Sequence, residues 1–188
     1  NRATIVGNIC SAVPSADSAP ALLVREAVVT IVGESGERDV SIVDFFTGPR
    51  KTVLSPGEIV KEIKVPLINQ KFGGSYVKLG RYDGEDLAQV GVATLALEDK
   101  SYRVAFCAVA PTPVRAYKVE EFLRGKDITD EVLKEAEPIA LSAISPISDI
   151  RASKAYRIHA SGVMFKRSLK ASFSRMNGNG PEYGKRLV

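Results

Sequence analysis

Strand-type and helix-type segments occupy different parts of this chain, and that order limits the folds open to it. β-Branched residues and polar–apolar alternation predict six strands, at 27–33, 38–42, 58–66, 75–79, 89–97 and 103–109. Apart from a short helix at 20–23, the helical signals come later, at 116–123, from about 130 to 143, and after a capping Ser153, where the pattern places Tyr156 on the apolar face. Because strands and helices do not alternate, the sequence predicts an α+β fold with antiparallel sheets.

A change of character at Gly73-Gly74 predicts a boundary between two subdomains near residues 67–74. The first subdomain is assigned to 1–70 and carries part of an antiparallel sheet, with 27–42 as a hairpin. The second, at 71–175, is predicted to be a three-stranded antiparallel sheet packed on a C-terminal helical bundle. Residues 176–188 are predicted to be a tail, since they are rich in Gly and Asn.

Four local features carry predictions of their own. Residues 1–19 are rich in Gly, Ser, Pro and Ala and predict loop and turn, and residues 48–52 are expected to break any regular element. Simple alternation along 58–66 puts Ile59 on the main apolar face and turns Val60 away from it, toward solvent or a ligand. Pro138 falls within a helical pattern and is expected to kink or divide that helix.

The composition excludes several classes of protein. Of 188 residues 45% are hydrophobic and 26% charged, which is typical of a globular domain, and no apolar run is long enough to span a membrane. The net charge of +4 comes partly from basic residues near the C-terminus, but no aromatic platform accompanies them, so nucleic-acid binding is not predicted. Cys10 and Cys107 lie far apart, which favours reduced thiols in a cytoplasmic protein over a structural metal site.

The usual catalytic constellations are missing from the sequence. The single histidine, His159, lies within the last helix and is interpreted as a residue of that helix's face. Acidic residues in the loop 81–86 are either a solvated turn or a loop that tunes the electrostatics over a ligand. A second charged group, Asp149, Arg151 and Arg157, is interpreted as a structural ion-pair and capping network.

A small polar residue at Thr4, the pair Gly7-Asn8, and then Ser11 and Asp17 suit a close approach to a polyanionic cofactor. Gly7 has no Cβ, so a ligand can contact its peptide plane. Thr4 and Asn8 add short hydrogen-bonding groups, and the Asp17 carboxylate is suited to accept from a sugar or ribityl hydroxyl.

Four strings, in order, resemble the FAD-binding subunit of the molybdenum hydroxylases, the group of xanthine dehydrogenase, carbon monoxide dehydrogenase and 4-hydroxybenzoyl-CoA reductase. They are NRATIVGNI with PSAD at 1–17, DFFTGPRKTVL with GEIV at 44–60, APTPVRA at 110–116, and PISDIRASKAYR at 146–157. The resemblance covers residues 1–175. It implies that 1–70 is a second FAD-binding subdomain and 71–175 the flavoprotein C-terminal domain.

The resemblance also implies roles for individual residues. Residues 4–8 (Thr4, Ile5, Val6, Gly7 and Asn8) are implied to contact the flavin and its diphosphate, and Asp17 the ribityl or ribose side. Val60 and Lys78 match positions that touch the flavin ring or its edge, and the loop 79–88 matches one that governs access of the electron acceptor. One departure lies in this segment, since the family usually has Gly-Gly-Asn where this chain has Val6-Gly7-Asn8.

The family passes electrons from molybdopterin through [2Fe-2S] clusters to FAD, and then to NAD or another acceptor. The implied partners are therefore a [2Fe-2S] small subunit, a molybdopterin large subunit and an upstream Gly-rich FAD segment that this sequence lacks. Two alternatives stay open from the residues: a non-catalytic scaffold of the same fold that bridges subunits without flavin, and another FAD oxidase that shares only the flavin domain. The strings at 110–116 and 146–157 disfavour the second of these.

Overall fold

Helices and strands are mixed along the chain in a computed structural model that describes residues 3–82, 86–185 and 187. The helices are α1 (Ile5–Cys10), α2 (Ser18–Val24), α3 (Ile42–Phe45), α4 (Tyr117–Leu123), α5 (Asp130–Leu141) and α6 (Lys154–Met176). The strands are β1 (Val28–Gly33), β2 (Gly36–Ser41), β3 (Phe46–Gly48), β4 (Lys51–Thr52), β5 (Ile59–Lys64), β6 (Phe72–Leu79), β7 (Val90–Leu97), β8 (Tyr102–Cys107) and β9 (Val114–Arg115). All strand pairs are antiparallel among the described residues, which confirms the α+β fold class.

The first sheet has the strand order β2-β1-β5, and β1 and β2 form the predicted hairpin. Residues 48–52 do not simply break the chain, because β3 and β4 form a small hairpin around them. Arg50 takes the left-handed conformation in its turn (φ 57°), which the Gly-Pro signal did not predict.

The prediction of loop and turn for residues 1–19 is wrong over α1. Thr4 caps this helix, and its Oγ1 accepts a hydrogen bond from the Gly7 N–H at 2.9 Å. Ile9 is fully buried in the core below it. A helix of six residues is too short to be stable alone, so packing around Ile9 holds it rather than helix propensity.

The predicted orientation of Val60 is also wrong. The register between β1 and β5 shifts between Thr30 and Ile31, which pair with Glu62 and Val60. This β-bulge breaks the simple alternation along β5, because one residue is left without a partner. Val60 is half-buried and packs on the core, whereas Ile59, expected on the apolar face, is 65% exposed.

The second sheet has four strands in the order β6-β7-β8-β9, one more than predicted. The added strand β9 pairs with Ala105 and Phe106. It is two residues long, which is too short to show an alternating pattern in the sequence. Every residue of β7 is buried, because α2 contacts this strand on one side and α6 on the other.

Two apolar clusters form the core of the part of the chain that the structure describes. One fills the space between the second sheet and helices α4, α5 and α6, and the other joins α1, α2, α3 and β1 to residues of β7 and β8. The second sheet therefore contributes to both clusters, with Val92 and Ala93 as neighbouring residues on opposite sides.

The C-terminal helices match the predicted segments with two corrections. Pro138 does not divide α5, which runs on to Leu141. Tyr156, predicted on the apolar face of α6, is exposed instead. Among the described residues after α6 the chain forms no helix or strand, and Arg175 holds this segment by donating to the carbonyls of Pro181 and Glu182.

Candidate functional site

The helix α1 presents the first group of predicted site residues. Thr4, Ile5 and Gly7 are exposed, while Val6 and Asn8 are half-buried. Around Gly7 a Cβ atom would meet only the Thr4 Oγ1 within 4 Å, at 3.0 Å, so the helix surface is otherwise open there. The glycine on this exposed face leaves room for a large ligand to contact the backbone.

Asn8 connects this helix to the next one. Its Oδ1 accepts hydrogen bonds from the backbone N–H of Ser18, at 3.2 Å, and from the Ser18 hydroxyl, at 2.5 Å. Ser18 directly follows Asp17, so this contact fixes Asp17 near α1. The Asn8 amide group is thereby oriented, with its NH2 hydrogens left for other partners.

Asp17 and Lys78, which are 61 residues apart in the chain, form an ion pair. The Lys78 Nζ lies 2.7 Å from Asp17 Oδ2, and the side chains are 26% and 45% exposed. The Tyr76 hydroxyl donates to the other carboxylate oxygen of Asp17 at 2.8 Å, and it lies 3.8 Å from the Cys107 Sγ. Both oxygens of Asp17 are thus held, yet the carboxylate remains open to solvent.

Two groups of this network have perturbed pKa values. Burial raises the pKa of the Cys107 thiol to about 12, and this cysteine is a free, uncharged thiol. Burial, together with the nearby Cys107 and Asp17, also raises the pKa of Tyr76 above its usual value. Tyr76 therefore stays protonated at neutral pH and remains a hydrogen-bond donor to Asp17.

Val60 and the loop 79–88 are the other two parts of the chain for which the resemblance implies a place near the flavin. Val60 belongs to the first sheet, on the strand that contacts α1. In the loop, Asp86 accepts hydrogen bonds from the backbone N–H groups of Arg81, Tyr82 and Leu87. Those bonds lower the pKa of the Asp86 carboxyl and close the base of the loop. Asp83 and Glu85, the other predicted carboxylates, lie outside the described residues.

The second charged group contains the predicted ion pair. Asp149 accepts from the guanidinium of Arg157 at 2.9 Å, and Arg157 also donates to the carbonyls of Gln89 and Ala108. Arg157 is almost fully buried, so Asp149 supplies the negative charge that compensates it. His159 is exposed on α6, in agreement with its predicted place on the helix face.

The residues around Asp17 fit a flavin nucleotide in their donor and acceptor chemistry. The carboxylate of Asp17 can accept from hydroxyls, the ammonium of Lys78 carries positive charge, and the open surface at Gly7 admits a bulky group. Within the described ranges, no cluster of three or more His, Cys, Asp or Glu residues could hold a metal ion. The donors and acceptors around Asp17 are suited to bind and orient an organic cofactor.

Two family descriptions match the chain, one on each side of the Gly73-Gly74 region. Residues 1–68 match the FAD binding domain in molybdopterin dehydrogenase, and residues 75–172 match the CO dehydrogenase flavoprotein C-terminal domain. The chain belongs to the molybdopterin dehydrogenase flavoprotein family. FAD, the cofactor that the resemblance implied, is the cofactor of this family's FAD-binding domain.

Relatives and solved structures agree with this family. The chain is 34% identical to the carbon monoxide dehydrogenase medium chain of Hydrogenophaga pseudoflava, over 93% of this chain and 62% of the relative. It is 31% identical to the xanthine dehydrogenase FAD-binding subunit of Escherichia coli O157:H7, over 95% of this chain and 63% of that subunit. The chain thus spans just over three fifths of the length of these relatives.

The fold agrees as well. A carbon monoxide dehydrogenase structure from Hydrogenophaga pseudoflava, which lacks the Mo-pyranopterin moiety, superimposes with a TM-score of 0.87 at 34% identity, over 93% of this chain and 62% of the other. Quinoline 2-oxidoreductase from Pseudomonas putida 86 gives 0.85 at 25% identity, over 94% and 62%. Among the residues that the structure describes, no helix of this flavoprotein is long and apolar enough to cross a membrane.

Sequence reasoning missed Ser18 and Tyr76 as members of the site. Tyr76 precedes Lys78 by two residues in a predicted strand, and side chains at that spacing lie on the same face of a strand. This spacing is the sequence signal that could have added Tyr76 to the site. No sequence signal predicts the contact between Asn8 and Ser18, because it depends on how α1 and α2 pack.

Proposed function

We propose that this chain is the FAD-binding part of an electron-transfer subunit of a molybdenum hydroxylase. It would receive electrons from [2Fe-2S] clusters, which take them from molybdopterin on partner subunits, and pass them through FAD to NAD or another acceptor. The observation that carries the proposal is the Asp17–Lys78 pair beside the exposed face of α1, in a chain of this family. A cytoplasmic location remains a prediction.

In this proposal the side chains bind and orient, while FAD supplies the redox chemistry when it is bound. Residues 4–8 hold the flavin and its diphosphate against α1. Asp17 accepts from the ribityl or ribose hydroxyls, and Lys78 contacts the ring or its edge. Val60, which is half-buried, contacts the ring with the part of its surface that the core leaves open. The acidic loop 79–88 limits access to that edge, with Asp86 fixing its base.

Replacing Asp17 with alanine is expected to raise the dissociation constant for FAD by roughly ten- to a hundredfold. The reason is the loss of a charged hydrogen-bond acceptor, which is worth more than a neutral one. The measurement is fluorescence titration with FAD, carried out on the protein supplied with the upstream FAD-binding segment of its family.

Asp39→Ala is the matched control for that variant. Asp39 also binds a lysine ammonium, Lys64, at 3.0 Å and a hydroxyl, that of Thr30, at 2.6 Å, and its exposure is similar at 51%. It lies on β2, away from the proposed site, so FAD affinity should stay unchanged. Absence of flavin absorbance even after reconstitution with the upstream segment would contradict the proposal.

The electron-transfer role needs the assembled complex. Reduction of NAD or a dye by a complex that carries this chain is expected to fall when Asp17→Ala lowers its FAD content, and to recover with added FAD. If the complex stays intact and reduces the acceptor at the same rate with Asp17→Ala, the chain is instead a scaffold without bound flavin.

A further inference from the structure

We infer that Tyr76 is a positioning residue of the flavin site, which orients the Asp17 carboxylate through its hydroxyl. This inference rests on the proposed function, because it assumes that Asp17 contacts FAD. Tyr76 itself donates to Asp17 Oδ1 at 2.8 Å, while Lys78 binds Oδ2 at 2.7 Å.

The two donors together fix the rotation of the carboxylate. A single contact from Lys78 would let the group turn about its Cβ–Cγ bond, since an ammonium on a flexible stem binds as a point charge. The tyrosine ring is rigid, and its hydroxyl is directed by only two side-chain torsions. Each oxygen of Asp17 keeps further acceptor capacity after these bonds, so the oriented carboxylate can still bind a ligand hydroxyl.

The neighbouring strand leaves room for the end of the Tyr76 side chain. Gly91 lies on the neighbouring strand β7, and a Cβ there would come within 2.8 Å of the Tyr76 hydroxyl oxygen. The same Cβ would meet the Cys107 Sγ closer than 3.0 Å, so the absence of a side chain makes room for both groups. Glycine inside a strand often marks such a close approach. The hydroxyl is thus confined between the Cys107 thiol and Asp17.

The test compares Tyr76→Phe, Asp17→Ala and their double variant in the FAD-loaded protein, by FAD titration and by visible circular dichroism of the bound flavin. Tyr76→Phe is expected to raise the FAD dissociation constant roughly five- to tenfold, less than Asp17→Ala does, and to change the dichroism. Because Tyr76 acts through Asp17, the double variant should bind no more weakly than Asp17→Ala alone.

Tyr102→Phe is the control for the loss of a tyrosine hydroxyl. Its hydroxyl donates to the Lys126 carbonyl at 2.6 Å, so this variant also loses a hydrogen bond, but in the apolar cluster between the second sheet and helices α4, α5 and α6. It should leave both the affinity and the dichroism unchanged. These two readouts separate positioning of Asp17 from a general effect on stability.

Three results would overturn the inference. If Tyr76→Phe binds FAD like the unmodified protein while Asp17→Ala binds weakly, Tyr76 has no positioning role and the proposed site stands. If the two effects add in the double variant, Tyr76 acts on FAD independently of Asp17. If neither single variant changes affinity, the proposed flavin site fails together with the inference.

Discussion

Replacing Gly73 with alanine is expected to lower the free energy of unfolding by about 3 kcal/mol. Gly73 lies on β6 where the backbone of α6 crosses the strand. A Cβ there would come closer than 3.0 Å to the Ser172 carbonyl oxygen and the Met176 nitrogen, which are both backbone atoms. Since backbone cannot rotate aside, the helix must move off the sheet. Urea unfolding followed by circular dichroism measures the loss.

Gly74→Ala provides the control on the neighbouring residue. A Cβ at Gly74 would lie 3.6 Å from Leu95 Cδ1 and 3.9 Å from the Thr94 carbonyl oxygen, which are ordinary contacts. Both variants restrict the unfolded chain equally, so that effect cancels in the comparison. Gly74→Ala should change stability by less than about 1 kcal/mol, and equal losses for the two variants would rule out the proposed steric cause.

The sequence predicted the long, strongly patterned elements well, because local physics determines them. The 27–42 hairpin has β-branched residues on both sides of a Gly-containing turn, and it folds as β1 and β2. The last helix begins where predicted, since Ser153 accepts a hydrogen bond from the Tyr156 N–H and caps it. Those signals need no knowledge of the rest of the chain.

Elements that depend on tertiary packing could not be predicted in this way. The helix α1 is only six residues long and contains a glycine, and the buried Ile9 stabilises it only in the folded protein. The orientation of Val60 depends on a bulge opposite Thr30 and Ile31. The alternation of polar and apolar residues along β5 does not predict this bulge. The two-residue strand β9 is likewise set by its partner β8.

Part of the candidate site follows from the residues, and part only from the resemblance. The small polar groups around Gly7 and the Asp17 carboxylate already suggest a polyanionic cofactor, whereas Lys78 taken alone looks like a solvated lysine at a strand end. The Asp17–Lys78 ion pair forms across 61 residues, because α2 packs on the sheet that carries β6. Tyr76 could have been added from its spacing to Lys78, but its contact with Asp17 required the fold.

Replacing Asp149 with alanine is expected to lower the free energy of unfolding by about 3 kcal/mol. The Arg157 guanidinium is almost fully buried, and removal of Asp149 leaves that charge without a carboxylate. The hydrogen bonds from Arg157 to the Gln89 and Ala108 carbonyls remain, but a carbonyl oxygen carries no full negative charge. Asp127→Ala is the control, since Asp127 pairs with Lys100 at the surface and should contribute less than about 1 kcal/mol.

The contribution of Asp149 to the free energy of unfolding should also disappear in acid, over a defined pH range. Burial raises the pKa of this carboxyl, but hydrogen bonds from the Arg151 N–H and the Arg157 guanidinium outweigh it and lower the pKa from 3.8 to about 2. The unfolded chain therefore takes up the proton first as the pH falls, so the stabilisation is complete above pH 3.8 and is lost towards about pH 2. The difference in unfolding free energy between the unmodified protein and Asp149→Ala should narrow across that window. Other carboxylates titrate in both proteins and cancel, so a difference that stayed constant in acid would show that Arg157 is not compensated by the Asp149 charge.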